Sequence, residues 1–414
     1  MTSPLNPLAS TPSPSAALLE AARALVPKLA EREAETTAAR RVHVETIADF
    51  HRIGIPRVMQ PRRFGGYQAS FGLFSQIVET LAEGCASSAW VYAVLGEHQW
   101  IIACMPEQAQ CDVWGDDPLA MASSSLAPRE TARAAQGGWR LSGRFPFSSG
   151  CSHARWAIIG ARCEEPAGRL ATRYLLVPIG QADILDDWNV LGLRGTGSQT
   201  LRLDDVFVPV HRTVMLRDLL DGTTPGAMVH PDYRLLSAPR GLLVPFSLPT
   251  VAFTLGRRAL ALTAEILRTR VSRGTRLMSS SEVVQQQLGQ AAAEIESACL
   301  VMRTRRDETM ALMDSGLPIP MEAGPMEAAP MEAAPMEAEM RNRRDIAFAV
   351  WQVRQGVERL VELVGARTVY DNDPLQNLWR DIVTISTHTV ASRHLGSVPH
   401  GRWLMGLPPA PGEA

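Results

Sequence analysis

Nowhere in the 414 residues is there an uninterrupted apolar run of the about 18 residues that a membrane-crossing helix needs, so no spanning segment is expected. Charge of one sign is also missing. The 41 basic and 43 acidic residues leave a formal balance of -2 and are mixed along the chain. Without a sustained basic field, neither nucleic acid nor an anionic membrane is an expected partner. Cysteine is sparse: Cys85, Cys104, Cys111, Cys151, Cys163 and Cys299 form no C-x-x-C pair and have no histidine beside them at ligand spacing. No metal site is expected, and the thiols read as reduced and mostly buried. The first fourteen residues, rich in Pro, Ser and Thr, lack the basic start and apolar run of a signal peptide. A cytoplasmic protein with a disordered tip over 1–14 is the expectation.

What is present is ordinary globular material, 46% hydrophobic and 20% charged, enough to bury more than one layer. Its texture changes twice. Over 15–118 apolar residues recur every three or four positions, as in Leu18, Ala22, Leu25 and Leu29, which predicts a helical domain. Over 119–215 short alternating or β-branched runs lie between Gly- and Pro-containing turns, which predicts a β domain. A connecting loop is expected over 216–243. From 244 to 400 helical spacing returns in segments near 246–272, 281–314, 341–366 and 375–396, followed by a tail over 401–414. Within this bundle, Pro-Met-Glu-Ala recurs with proline at 320, 325, 330 and 335. A proline every fifth residue removes a backbone donor from each turn, so 316–340 is expected to be a loop.

Two segments of the β domain are the most informative. One runs from Gly137-Gly138-Trp139 through Phe145-Pro146-Phe147-Ser148-Ser149-Gly150-Cys151-Ser152-His153 to Trp156. The other is Leu191-Gly192-Leu193-Arg194-Gly195-Thr196-Gly197-Ser198-Gln199-Thr200, running into Leu203-Asp204-Asp205-Val206. In this order and spacing they resemble the middle domain of the acyl-CoA dehydrogenase superfamily, where such turns wall the flavin ring. A lone Gly195-x-Gly197 is no dinucleotide fingerprint, since no third glycine and no helix pattern follow it. The resemblance spans nearly the whole chain. It implies an α+β fold with an N-terminal helical domain, a middle β-barrel or sandwich, and a C-terminal four-helix bundle.

Within the superfamily the chain looks more like the oxygenase components of two-component, reduced-flavin-dependent aromatic monooxygenases. Three stretches carry this: Ser88-Ala89-Trp90-Val91 leading to Gly96-Glu97-His98, the run Ser123-Ser124-Ser125, and Trp379-Arg380-Asp381 with His388 beyond. A dehydrogenase needs a carboxylate base. Many family members have a glutamate before that Arg-Asp pair, but here the stretch reads Tyr370-Asp371-Asn372-Asp373-Pro374; Asp371 or Asp373 could substitute, and some members place the base elsewhere.

The resemblance implies reduced flavin, FMNH2 or FADH2, supplied by a separate NAD(P)H:flavin reductase. With O2 as co-substrate it would hydroxylate a phenol or indole-like molecule through a C4a-hydroperoxyflavin; oxygenation at nitrogen or sulfur uses the same adduct. His98 is the candidate base toward a phenol, since imidazole titrates near neutral pH. His388 is a second candidate, which Asp381 could orient if both lie on one helix face. Ser149, or its neighbour Ser148, could bond the ring edge, and Ser124 the ring or the substrate, although serine also serves ordinary turns. Trp90, Ser125, Arg194, Thr196 and Ser198 lie in the flavin-facing motifs. Arg276 and Gln287, eleven residues apart, match the interval at which the superfamily supplies pyrophosphate contacts from a neighbouring subunit, which implies a homotetramer. His153 is expected to cap a turn.

Overall fold

The computed structural model describes residues 13–165, 168–271, 277–315 and 334–407. The N-terminal part holds α1 (Pro14–Glu31), α2 (Glu33–Ala38), α3 (Val44–Ile53), α4 (Phe71–Ala82), α5 (Ala86–Ala103) and α6 (Glu107–Trp114). Every residue of α5 is buried. A helix buried on all sides has no solvent face and runs through the interior. Gly96 makes that close packing possible, since a Cβ there would sit 2.8 Å from the Phe74 ring of α4.

The middle domain is built from β1 (Ala122–Ser125), β2 (Thr131–Ala135), β3 (Gly138–Ser148), β4 (Trp156–Glu164), β5 (Leu170–Pro178), β6 (Asp183–Leu185), β7 (Gln199–Pro209) and β8 (Thr213–Met215). Their order is β6-β7-β3-β2-β4-β5-β8, with β1 pairing in parallel beside β4. β2 joins the two halves, antiparallel to β3 and parallel to β4. Alternation divides β4 between two cores: Ala157, Ile159 and Ala161 enter the strand core with Phe145 and Leu201, whereas Ile158 enters the helical core. This double burial is why the strand reads as a continuous apolar run.

The segment expected as a connecting loop contains α7 (Leu216–Asp221), α8 (Pro225–Val229) and α9 (Arg240–Leu243). The C-terminal part follows with α10 (Thr250–Thr269), α11 (Glu282–Asp314), α12 (Ala334–Val364), α13 (Pro374–Ser386) and α14 (Arg393–Leu404). Three expectations are corrected here. The last proline repeat is helical, because Pro335 falls in the first turn of α12, where its missing N–H has no helical acceptor to lose; the repeats over 316–333 lie outside the described residues. The helix expected over 375–396 is two helices. The hydroxyls of Thr384, Ser386 and Thr387 bond back to helical carbonyls and compete with the ladder at the end of α13. The expected tail begins inside α14.

Five of the six cysteines are buried in these cores, and only Cys111 is exposed. No described helix is long and apolar enough to cross a membrane.

Candidate active site

The two glycine-rich turns do face a common region. A bulge between Phe145 and Ser148 breaks the β3–β7 register, and Phe147 sits at φ 65°, an unfavourable region for an aromatic residue. The strained turn delivers Ser149 to α5, where Trp90 Nε1 donates to Ser149 Oγ at 3.2 Å. At Gly150, φ 69°, a Cβ would lie 2.8 Å from Val91 of the same helix. From the second turn, Ser198 Oγ lies 2.7 Å from Ser149 Oγ and 2.7 Å from Thr196 Oγ1, and Thr196 Oγ1 donates to the Leu193 carbonyl at 2.9 Å. Trp188 Nε1 donates to the same carbonyl at 3.3 Å.

His98 projects from α5 toward β1, and its Nδ1 lies 2.6 Å from the Ala122 carbonyl oxygen. A carbonyl can only accept, so Nδ1 carries the proton and Nε2 presents a lone pair. Nε2 has no partner among the described residues. Burial holds the imidazole below its usual pKa and keeps it neutral. His388 adopts the opposite tautomer. It follows α13 and caps the next turn, its Nδ1 accepting from Val390 N at 3.3 Å, which leaves the proton on Nε2. Its ring retains some solvent contact, yet the surrounding protein pushes the pKa down to about 4. The ring meets Trp90 edge to face, with centroids 5.6 Å apart. The ion pair Glu97–Arg240, at 3.5 Å, acts on both imidazoles, the carboxylate raising and the guanidinium lowering their pKa.

The expected Asp381–His388 pairing does not form, because His388 lies beyond the end of α13. The Asp381 carboxylate instead accepts from the Leu193 N–H at 2.6 Å. The three serines of β1 divide by alternation. Ser123 and Ser125 are tied to β3, accepting from Ser148 Oγ at 3.0 Å and donating to the Pro146 carbonyl at 2.7 Å respectively. The hydroxyls of Ser125 and Ser148, both expected at the cofactor, are thus engaged within the strands. Ser124 pairs in register with Ile158 and shares the face of Ala122 toward the helical core; its hydroxyl has no partner among the described residues.

Arg194 is exposed and Gln287 half-buried on α11, both without side-chain partners among the described residues. Arg276 lies outside the described residues. His153 is the last residue of a short 3-10 turn whose caps are Gly150 and Ala154, with no capping bond from a side chain, so the expected capping role is corrected. The pair Glu97–Arg240 and the hub at Leu193 escaped the sequence reading. Glu97 carried a signal, being the one acid of an otherwise uncharged, fully buried helix, whereas Arg240 had none.

The donor set suits a flavin. A ring of fused heterocycles needs acceptors and donors at its edge, apolar walls and a cation for its phosphates, and Ser149, Trp90 and Arg194 provide these chemistries. Neither aspartate considered for the dehydrogenase alternative is placed to act as its base. Asp371 is 94% exposed at its side chain, and Asp373 is spent capping α13 through Leu375 N and Gln376 N and pairing with Arg367. A cavity of about 620 Å³ lies elsewhere, among Arg23, Glu79, Glu83, Arg257 and Arg306, whose charges largely neutralise one another.

Residues 249–393 match the family described as acyl-CoA dehydrogenase, C-terminal domain. The oxygenase component of an FADH(2)-dependent resorcinol hydroxylase from Rhizobium sp. is 34% identical over 91% of this chain and 90% of that protein. Among solved structures, the HsaA monooxygenase from M. tuberculosis superposes with a TM-score of 0.86 at 30% identity, covering 96% of this chain and 99% of that one. XiaF from Streptomyces sp., in complex with FADH2 and glycerol, gives a TM-score of 0.81 at 26% identity, covering 95% and 96%. The fold is that of the acyl-CoA dehydrogenases. The chain belongs to the oxygenase components of the flavin-dependent monooxygenases, oxidoreductases that work with reduced flavin and O2.

Proposed function

We propose that this enzyme hydroxylates a phenolic or indole-like small molecule, using FADH2 delivered by a separate NAD(P)H:flavin reductase. The observation that carries the reading is the tautomer of His98. With Nδ1–H committed to the Ala122 carbonyl, Nε2 is held as a neutral base facing no other partner. Removal of a phenol proton by that lone pair makes the ring a stronger nucleophile. Reduced flavin with O2 supplies the electrophilic oxygen. His388, with Nε2–H as donor, and Ser124, with a free hydroxyl, would orient the substrate oxygen, while Ser149 meets the cofactor ring edge. α5 is buried along its whole length, which sets this base in the protein interior.

The relative named as a resorcinol hydroxylase supports an aromatic alcohol as substrate, and the two relatives whose names include FADH2 support FAD over FMN. Arg194 would then meet cofactor phosphates, with Gln287 reaching from a neighbouring subunit of a homotetramer. The reduced, buried thiols support a cytoplasmic setting.

The test supplies the purified protein with FAD, a flavin reductase, NADH and O2, and compares a panel of phenols with their O-methyl ethers. Hydroxylation of a phenol but not of its ether supports the reading. Equal turnover of both would remove His98 as the activating base, and NADH oxidation that yields peroxide with every aromatic tried would defeat the proposed substrate class.

A further inference from the structure

The protons of the Trp90–Ser149–Ser198–Thr196 chain can be assigned one by one. The Leu193 carbonyl only accepts, so Thr196 spends its single hydroxyl proton there. At the 2.7 Å contact between Thr196 and Ser198 the donor is therefore Ser198. At the 2.7 Å contact between Ser198 and Ser149 the donor is therefore Ser149. Trp90 Nε1 can only donate, and it occupies one lone pair of Ser149. Ser149 is left with one free lone pair and no free proton.

We infer that Ser198 and Thr196 are positioning residues that fix Ser149 as a pure acceptor, so that the site favours reduced over oxidised flavin; this rests on the proposed location of Ser149 at the ring edge. The two redox states differ in what their central-ring nitrogen N5 offers. Reduced flavin carries N–H there, a donor that the free lone pair of Ser149 accepts. Oxidised flavin carries only a lone pair, which would meet another lone pair. To serve it, the chain would have to give up one hydrogen bond, or reverse through all three hydroxyls with Thr196 releasing the Leu193 carbonyl. The carbonyl end anchors the polarity from a second side as well, because Leu193 is held in a left-handed conformation at φ 52° with its own N–H bound to Asp381.

Neither Ser198 nor Thr196 needs to touch the cofactor for this effect. Thr196→Val removes the donor that anchors the chain, so Ser198 can turn toward Ser149 and release the Ser149 proton outward. Ser198→Ala removes the acceptor of that proton directly. Thr196→Ser keeps the anchor.

Anaerobic titration of the full-length protein with FAD and with dithionite-reduced FAD, read by quenching of tryptophan fluorescence, gives the ratio of the two dissociation constants. Loss of one hydrogen bond's worth of discrimination predicts that this ratio falls about tenfold in Thr196→Val and Ser198→Ala, mainly by tighter binding of oxidised FAD, and returns in Thr196→Ser. The midpoint potential of bound FAD should fall in step, by about 30 mV for a tenfold change in a two-electron couple. A folded Ser198→Ala or Thr196→Val protein that binds FAD with the wild-type ratio overturns the inference. Wild-type protein that binds FAD in neither state overturns the flavin site on which it rests.

Discussion

Asp381 and Leu193, 188 residues apart, are joined by a hydrogen bond of 2.6 Å from the Leu193 backbone N–H to the Asp381 carboxylate. The contact ties α13 to the turn that anchors the serine chain. Burial, outweighing the hydrogen bond from Leu193, lifts the Asp381 carboxyl from 3.8 to about 7.

A pH dependence follows from that shift. Between about 4 and about 7 the folded protein holds a proton on Asp381 that the unfolded chain has released, so this group's contribution to stability declines as pH rises through the window. His388, lowered to about 4, acts in the opposite sense over an overlapping window, since there the unfolded chain binds the proton. Asp381→Asn keeps an acceptor for Leu193 but cannot ionise. Its melting temperature relative to wild type should increase from pH 5 to pH 8; a difference independent of pH would show that Asp381 does not titrate in that range.

His98→Ala should retain flavin binding while the proton acceptor is lost. General-base catalysis is commonly worth about 10²–10⁴-fold, so product formation should fall by that order while oxygen consumption continues, and the ratio of product to oxygen consumed should drop. In the wild type the acid limb of the rate profile should lie below the ordinary histidine pKa of 6.5, because burial favours the neutral imidazole. Product and oxygen assays across pH check both, and undiminished coupling in the variant would remove His98 from the chemistry.

Gly192→Ala should be costly although it adds one methyl group. The new Cβ would sit 2.2 Å from the Arg380 carbonyl oxygen and 2.7 Å from Asp381 N, both rigid backbone atoms of α13. Separation of the turn from the helix should destabilise the fold by about 1–3 kcal/mol and weaken flavin affinity. Chemical denaturation measures the first effect and titration with reduced flavin the second; a variant as stable as wild type would mean that the turn can move without loss.

The order of helices, strands and bundle was legible because hydrophobic period switches from three or four to two and back. Ser149, Ser198, Thr196 and Trp90 were legible as members of motifs, but their hydrogen-bond order was not, since it depends on two turns 49 residues apart meeting at one helix. The expected pairing of His388 with Asp381 rested on a mistaken geometrical reason. Counting helical turns from Asp381 assumed that α13 continues, and hydroxyl side chains that bond its last carbonyls are easily read as neutral helix residues. Arg240 could not be singled out from sequence because its pairing with Glu97 crosses 143 residues and no local pattern marks it.

The cysteine distribution bears on how such an enzyme survives its own side reaction. Should oxygen reduction outrun substrate oxidation, hydrogen peroxide would form, and thiolates are its preferred targets. Burial raises Cys85 and Cys163 to about 12 and Cys151 and Cys299 to about 11, and pushes Cys104 higher still, so these sulfurs stay protonated at neutral pH. The thiol left exposed is Cys111, on α6, which has no part in the Trp90–Ser149–Ser198–Thr196 chain.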